Sequence, residues 1–295
     1  MSFMQYIDTH LLRKITIGKS GANVYELDHG LIAKHIYRNM LPQDSLWDSY
    51  VNEYMFYKTY HSENISFLPE IYHLYQSDHE IQMIMKKYTP FNKKDMDDRL
   101  FRKMISVLAE IHCLSIPNFL PKKEIIPFQL NDAELAKSFM GWLEVTREHG
   151  EIFSESDLKM VAKNINTVNQ RFYNTKQWFC HGDFHFENVL ADDLENLIVC
   201  DWQGIHSGHI AGDIAFFISR LCADGYKVNE EKVISMYCGI SDVDITEKEL
   251  AIQMKLSNVN TSFVFWHEYL HRCSSERVRN IFEKMIRDME YLYQY

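Results

Sequence analysis

CHGDFHFENVL, residues Cys180 to Leu190, crowds His181, Asp183, His185, Glu187 and Asn188 into a few positions. Trp178 and Phe179 precede the stretch, and Val189 and Leu190 close it. So many hydrogen-bonding groups between apolar flanks exceed what a surface turn needs. Three explanations compete: a metal site, a general base, or a densely hydrogen-bonded loop. Downstream residues separate them. Asn188 lies five positions after Asp183, giving H-G-D-x-x-x-x-N, and Asp201 follows 18 residues after Asp183 at the end of the apolar run NLIVC. Metal-dependent phosphoryl transfer needs such a set: one carboxylate orients or deprotonates the attacking hydroxyl, while an amide oxygen and a second carboxylate hold Mg²⁺ against the phosphates. Pairing of NLIVC back on NVLAD, through a turn at Asp192 and Asp193, would bring Asp201 beside Asn188.

A metallohydrolase reading takes His181, Asp183 and His185 as alternating ligands on one strand face. Such sites gather several His and carboxylate ligands from separate segments. No second H-x-H or H-E-x-x-H cluster occurs, and this reading leaves Asn188, Asp201 and Asp213 unexplained. His112, on an apolar helix, reads as a hydrogen-bonded core residue.

Composition sets outer bounds. The 295 residues are 46% hydrophobic and 24% charged, enough for a substantial core and too apolar for bulk disorder. A net charge of −10 argues against a nucleic-acid partner and suits a neutral or cationic small one. The six cysteines are scattered without a C-x-x-C pair, which predicts buried free thiols in a reducing compartment. No signal-peptide core or membrane-length apolar run appears, so the expected location is the cytoplasm, with no membrane partner.

Outward from the loop, the chain divides by texture. RKITIGKSGANVYELDHGLIAKHIY gives three β-rich runs parted by turns at Gly18, Gly21 and Gly30. QDSLWDSYVNEYMFYKTY predicts a helix with Trp47, Tyr50, Val51, Tyr54 and Met55 at helical spacing and Asp44 or Ser45 as N-cap. EIYHLYQ and EIQMIMKKY read as strands around a turn at Ser77 and Asp78. After a hinge near 86–91, Leu100, Met104, Leu108 and Ile111 stripe a long helix, and residues 132–148 and 155–173 continue the pattern. No proline follows Pro127, consistent with helices to the end. The expectation is an α+β, two-lobed fold: a β-rich nucleotide-binding lobe over 1–88 and a larger, mainly helical catalytic and substrate-binding lobe over 89–295.

The loop resembles that of the aminoglycoside phosphotransferase and choline kinase family, relatives of the protein kinases. There H-G-D replaces H-R-D, and the metal-binding Asp opens an element like Asp201-Trp202-Gln203. GDIAFFISRL resembles the family's Asp-plus-apolar helix, and LAEIHCL the helix ahead of the loop. The similarity covers about residues 14–222, strongest around the loop.

The resemblance implies a protein-kinase-like fold that uses ATP, or GTP, with Mg²⁺. Asp183 would be the catalytic base, Asn188 and Asp201 the metal ligands, and His181 and Asp213 supports of the loop. LIAKHI resembles the V-A-x-K strand. Alternation puts Ile32 and Lys34 on one face, Ile32 over the adenine and Lys34 at the α- and β-phosphates, backed by Glu53. Met85, Lys87 and the rest of 86–90 would meet the adenine. The turn GKSGANVYEL, with Lys19, Ser20 and Asn23, would fold over phosphates, although it departs from G-x-G-x-x-G.

The implied acceptor is a hydroxyl on a small cationic molecule: an aminoglycoside first, with choline, ethanolamine or another amino alcohol as the alternative. A catalytically silent nucleotide-binding or scaffold protein is the remaining reading. His185, Glu187, Trp266, Glu268 and Tyr269 are the candidate acceptor contacts. Asp242, Asp244, Glu247 and Glu249 could join Glu268 in an acidic pocket, whereas FVFWHEYLH could equally be plain helix packing. Oligomeric state is not legible.

Overall fold

The computed structural model describes residues 2–15, 21–63, 65–92, 94, 96–121, 126–150 and 153–295. In chain order the elements are α1 (Phe3–His10), β1 (Leu11–Ile15), β2 (Asn23–Leu27), β3 (Leu31–Tyr37), α2 (Ser45–Tyr60), β4 (Ile71–Gln76), β5 (Glu80–Lys86), β6 (Thr89–Pro90) and α3 (Asp98–His112). There follow α4 (Asp132–Glu148), α5 (Glu155–Arg171), β7 (Trp178–Cys180), β8 (Val189–Ala191), β9 (Leu197–Val199), β10 (His206–Gly208), α6 (Ile210–Ala223), α7 (Glu230–Ile240), α8 (Glu247–Val264) and α9 (Ser275–Gln294). The chain forms two compact units. One comprises Met1–Pro121 and Phe179–Ser207, the other Lys122–Trp178 and Gly208–Tyr295. The fold is α+β, with the sheet near the N-terminus and helices toward the C-terminus.

In the first unit, five antiparallel strands run in the order β1-β2-β3-β5-β4. The register Val24↔Lys34↔Met83 and Glu26↔Ile32↔Met85 places those six residues on one face. The opposite face carries Leu27, Ala33 and Ile84, which pack with Ile7 of α1 in a buried cluster. Helix α1 was absent from the sequence expectation. It is short, and a Ser2–Gln5 capping box and the sheet beneath it supply what its length does not.

Helix α2 buries its aromatic residues as expected, but over more than one side. Trp47, Tyr50 and Tyr54 are buried, but so are Glu53, Phe56, Tyr57 and Tyr60, while Val51 and Met55 are only half-buried. The reason is an aromatic stack: Phe56 lies 4.2 Å from the Trp202 ring and 5.5 Å from Phe179, so a second side of the helix faces apolar partners. Asp44 precedes α2 with helical backbone angles and makes no side-chain cap. On α3, Leu100, Met104, Leu108 and Ile111 are buried as their spacing predicts, and His112 is buried with them.

The helical unit closes around Trp142, Val161, Phe263, Val278, Phe282 and Met289. The Trp142 indole N–H is satisfied inside this core by the Ser262 and Phe263 carbonyls, at 3.1 and 3.2 Å. All six cysteines are free, as expected, but only Cys180 is fully buried; Cys113 and Cys222 are exposed, which corrects the expectation of buried thiols at those two positions. Among the described residues, no helix is long and apolar enough to cross a membrane.

Candidate active site

Strands β8 and β9 pair antiparallel, with Val189 opposite Val199 and Leu190 opposite Ile198. The Cys200 N–H donates to the Asn188 carbonyl at 2.9 Å, extending the ladder to the doorstep of Asp201. The expected pairing of NLIVC on NVLAD is therefore present. β6 adds a third strand through Thr89↔Ala191 and Pro90↔Leu190, so the stretch expected to act as a hinge is paired to the strand that follows Asn188.

Backbone packing explains the small residues. Gly182 has φ of +82°, and a Cβ there would collide with the Gly204 carbonyl. Gly204 in turn lies against the backbone of His181 and Gly182. The H-G-D and D-W-Q-G segments thus meet main chain to main chain. Nothing larger than glycine fits at Gly182. Gly204 was missed by sequence reasoning, although its place three residues after Asp201 was visible.

His181 is fully buried and ties this junction together. Its Nδ1 accepts from the Asp183 N–H at 3.2 Å, and its Nε2 donates to the Cys200 carbonyl at 3.2 Å. A carbonyl only accepts and an amide N–H only donates, so the ring is held as the neutral Nε2–H tautomer. His185 repeats half of the device: its Nδ1 accepts from the Glu187 N–H at 3.2 Å, and its Nε2 lies 3.6 Å from Asp183 Oδ1. A neutral imidazole has one lone pair, and in both rings an amide already occupies it. The metallohydrolase arrangement of His181, Asp183 and His185 is incompatible with these bonds.

Lys34 reaches from β3 to two carboxylates. Its Nζ lies 2.7 Å from Glu53 Oε2 and 3.2 Å from Asp201 Oδ1, and 4.9 Å from the centre of the Tyr50 ring. Tyr50, expected only as part of the helical stripe, sits one turn before Glu53 on the same side of α2. Burial alone would lower the Lys34 ammonium, but the Glu53 and Asp201 charges overcome this and hold its proton more tightly than in water. Burial also pushes both carboxyls up. In Asp201 the charge and hydrogen bond of Lys34 outweigh it and leave the group below its ordinary value. In Glu53 burial and the neighbouring Asp201 charge prevail over Lys34 and the Trp202 amide, so the group lies above it. Between them, burial and both acids push the Cys200 thiol up to about 12.

Asp201 adopts φ 63° and ψ 60°, a left-handed conformation costly for a non-glycine residue. The fixed neighbours on either side impose it. Val199 belongs to β9, and Trp202 is buried in the Phe56 stack with its indole donating to the Val199 carbonyl at 2.8 Å. The Asp201 carboxylate is thereby turned to Lys34.

At the loop itself, Asn188 Nδ2 donates to the Asp183 carbonyl at 2.9 Å and to Asp183 Oδ2 at 3.2 Å. Its amide oxygen is left as the atom with no partner among the described residues. Gln203 Nε2 lies 3.4 Å from Asp201 Oδ2, and its own buried Oε1 has no hydrogen-bond partner among the described residues. Amide and carboxylate oxygens form a hard donor set, the kind Mg²⁺ takes, so Asn188 and Asp201 fit that ion.

The other expected residues fall in several places. Ile32 and Met85 pair across β3 and β5 on the Lys34 face, with Ile32 half-buried and Met85 buried. The Lys87 ammonium is held by Glu26 at 2.6 Å. Ser20, with Lys19 and Gly18, lies outside the described residues. Glu187 is half-exposed beside His185. Asp213 is buried in the first turn of α6, in the helical unit. Trp266, Glu268 and Tyr269 do not converge: Trp266 packs against the helical core, Glu268 pairs with Lys137 at 2.7 Å, and Tyr269 is 67% exposed. Asp244 is held by Lys176 at 2.8 Å, and Glu249 closes the capping box of α8.

Similarity to solved structures spans nearly the whole chain. An ADP-bound aminoglycoside phosphotransferase, APH(2'')-Ib, superposes with a TM-score of 0.56 at 13% identity, over 99% of this chain and 98% of that one. An ethanolamine kinase of Plasmodium vivax gives 0.58 at 13% identity, over 100% and 85%. A choline kinase of Cryptosporidium parvum gives 0.59 at 13%, over 97% and 91%. At such identity the likeness shows a shared kinase-like fold. No curated protein matches by sequence. The phosphotransferase enzyme family (APH) matches residues 48–231, more than half of the chain and all of the loop segment from His181 to Asp201. The chain belongs to the phosphotransferase enzyme family.

Proposed function

We propose that this protein is an ATP-dependent phosphotransferase that moves the γ-phosphoryl group to a hydroxyl of a small molecule. The observation that carries the reading is the single reach of Lys34 to both Glu53 and Asp201, beside a loop in which Asn188 braces Asp183. In this reading residues 1–88 hold the nucleotide and 89–295 supply catalysis and acceptor binding. Ile32, Met85 and Lys87 border the adenine, Ser20 belongs to the phosphate turn, and Lys34 meets the α- and β-phosphates. Asn188 and Asp201 hold Mg²⁺, which supplies charge neutralisation at the phosphates. His181 and Asp213 keep the loop in place.

Asp183 Oδ2 already accepts from Asn188, which leaves Oδ1 to receive the acceptor hydroxyl. As that oxygen bonds to the γ-phosphorus, its proton passes to Asp183, the bond to the β-γ bridging oxygen breaks, and ADP leaves. The transition state is loose, so the side chains chiefly position and neutralise.

For the acceptor we propose a small cationic alcohol, an aminoglycoside ahead of choline or ethanolamine, with antibiotic resistance as the consequence in a cytoplasmic setting. The net charge of −10 and the names of the structural neighbours support it. Three of the five acids expected to greet amines, Asp244, Glu249 and Glu268, are engaged by neighbours, which weakens the acidic-pocket form of the argument. The test is ADP release from Mg-ATP across aminoglycosides, choline, ethanolamine and related amino alcohols. Stimulation by one class, lost by at least ~10³-fold in Asp183→Ala with nucleotide still bound, is expected. Full activity of Asp183→Ala would remove the base assignment. Nucleotide binding without turnover of any acceptor would favour a silent scaffold.

A further inference from the structure

The helical unit contains a cavity of about 840 Å³ bounded by α6, α8, Trp266 and the start of α9. That volume lies within the usual range for a small-molecule site. Its charge runs against the rest of the molecule. In a chain of net charge −10, the lining includes Lys227, Arg272, Arg277, Lys284 and Arg287, with Glu276 as the only acid among the described residues of the wall.

Two of these cations are already balanced. Lys284 is paired with Glu230 at 2.7 Å and Asp288 at 3.0 Å, and Arg287 lies 3.7 Å from Glu283. Lys227, Arg272 and Arg277 have no carboxylate partner among the described residues. The Arg277 Nε is shielded from solvent and has no hydrogen-bond acceptor among the described residues. A guanidinium with one N–H desolvated and no carboxylate partner is unfavourable, and an oxyanion in the cavity would balance its charge.

The backbone points the same way. Helix α9 begins at the cavity wall, with Ser274 as N-cap accepting from the Arg277 N–H at 3.3 Å. The N–H groups of Ser275 and Glu276 have no acceptor within the helix, and its dipole places positive potential there. Trp266 and Ile218 add apolar surface to the same wall.

We propose that this cavity binds a small organic oxyanion, a carboxylate or phosphate group on a flat apolar body. The anion bridges Arg272 and Arg277 at the start of α9, and the apolar part lies against Trp266. This site does not rest on the phosphotransferase reading and is distinct from the cationic acceptor proposed above.

Phenyl phosphate and phenylacetate are the anionic probes, and benzyl alcohol and benzylamine the uncharged and cationic controls. Affinities for the full chain come from isothermal titration calorimetry. Both anions are expected to bind at least about tenfold more tightly than either control. The Arg272→Gln/Arg277→Gln variant should lose that preference, and Asp183→Ala should retain it whether or not phosphotransfer is confirmed. A footprint on the wild type guards against misfolding of the double variant: bound phenyl phosphate should protect Arg277 from phenylglyoxal, read by peptide mass spectrometry. Equal binding of anions and amine overturns the proposal, as does affinity unchanged in a folded double variant or labelling of Arg277 unaffected by saturating probe. Phosphate binding without phenylacetate binding, at matched Arg dependence, keeps the site and narrows the ligand to phosphate esters.

Discussion

Replacing Lys34 by methionine removes one positive charge while keeping most of the side chain's length and apolar stem. The consequences follow from the two carboxylates left behind. Glu53 is 1% exposed, and its carboxylate retains the Trp202 amide but loses its ammonium at 2.7 Å. Removing one partner of a buried pair costs about 3–5 kcal/mol, because the remaining charge stays desolvated. Asp201 is about one-third exposed, so solvent absorbs part of its loss, and the estimate rests on Glu53. The decisive feature is pH. In the variant, nothing offsets the burial that already raises Glu53, so its folded-state value rises further above that of the unfolded chain. The folded variant then binds more protons than the unfolded chain, and stability falls as pH rises. Asp201 moves in the same direction, since the ammonium that depressed it is gone. The stability deficit relative to wild type is therefore largest near pH 8 and shrinks toward pH 5, at up to about 1.4 kcal/mol per pH unit for one proton. Urea unfolding of both proteins at several pH values measures it. A deficit below about 1 kcal/mol at pH 8, or one that grows on acidification, would refute a buried, charged Lys34–Glu53 pair.

Gly182→Ala should be more damaging than its single methyl suggests. The substitution meets a φ of +82° and a collision with the Gly204 carbonyl, so a loss of about 2–4 kcal/mol is expected in chemical denaturation, with an alanine at exposed Gly225 as a milder control. Cys200 should resist alkylation. With its thiol pushed up to about 12, only about 10⁻⁴ is thiolate at pH 8, so iodoacetamide should label exposed Cys113 far faster, as peptide mass spectrometry will show.

Legibility in the sequence followed the range of the interaction. Asp183 and Asn188 are five residues apart, and their spacing already predicted a shared loop, which the Asn188–Asp183 bonds now describe. The β8–β9 pairing needs only a short turn and was equally readable. The stripe on α3 was legible because one face of that helix is buried. Helix α2 and its aromatic core were legible too, but Val51 and Met55 are only half-buried, because the buried aromatics spread over two sides and a stripe rule recognises one. Helix α1 escaped because a helix so short is held by its cap and by the sheet, not by a long periodic pattern. The Trp266–Glu268–Tyr269 group failed to converge for a related reason. Local spacing cannot show that Lys137, far upstream, holds Glu268 at the surface.

Lys34 and Asp201 lie 167 residues apart, and no local pattern could give their 3.2 Å contact. What makes the contact possible is a chain of constraints, each of short range. Trp202 is fixed by the Phe56 stack, and Phe56 lies on the helix that carries Glu53. Gly182 and Gly204 lock the two loop backbones together, and His181 bonds to both. Asp201 is left with little freedom between Cys200 and Trp202, and its left-handed backbone is the conformation that remains. The same helix therefore supplies the counter-charge for Lys34 and the aromatic anchor for the residue after Asp201. A substitution at Phe56 would displace Asp201 and Glu53 together, so the charge pattern at Lys34 depends on an apolar contact as much as on the ion pairs themselves.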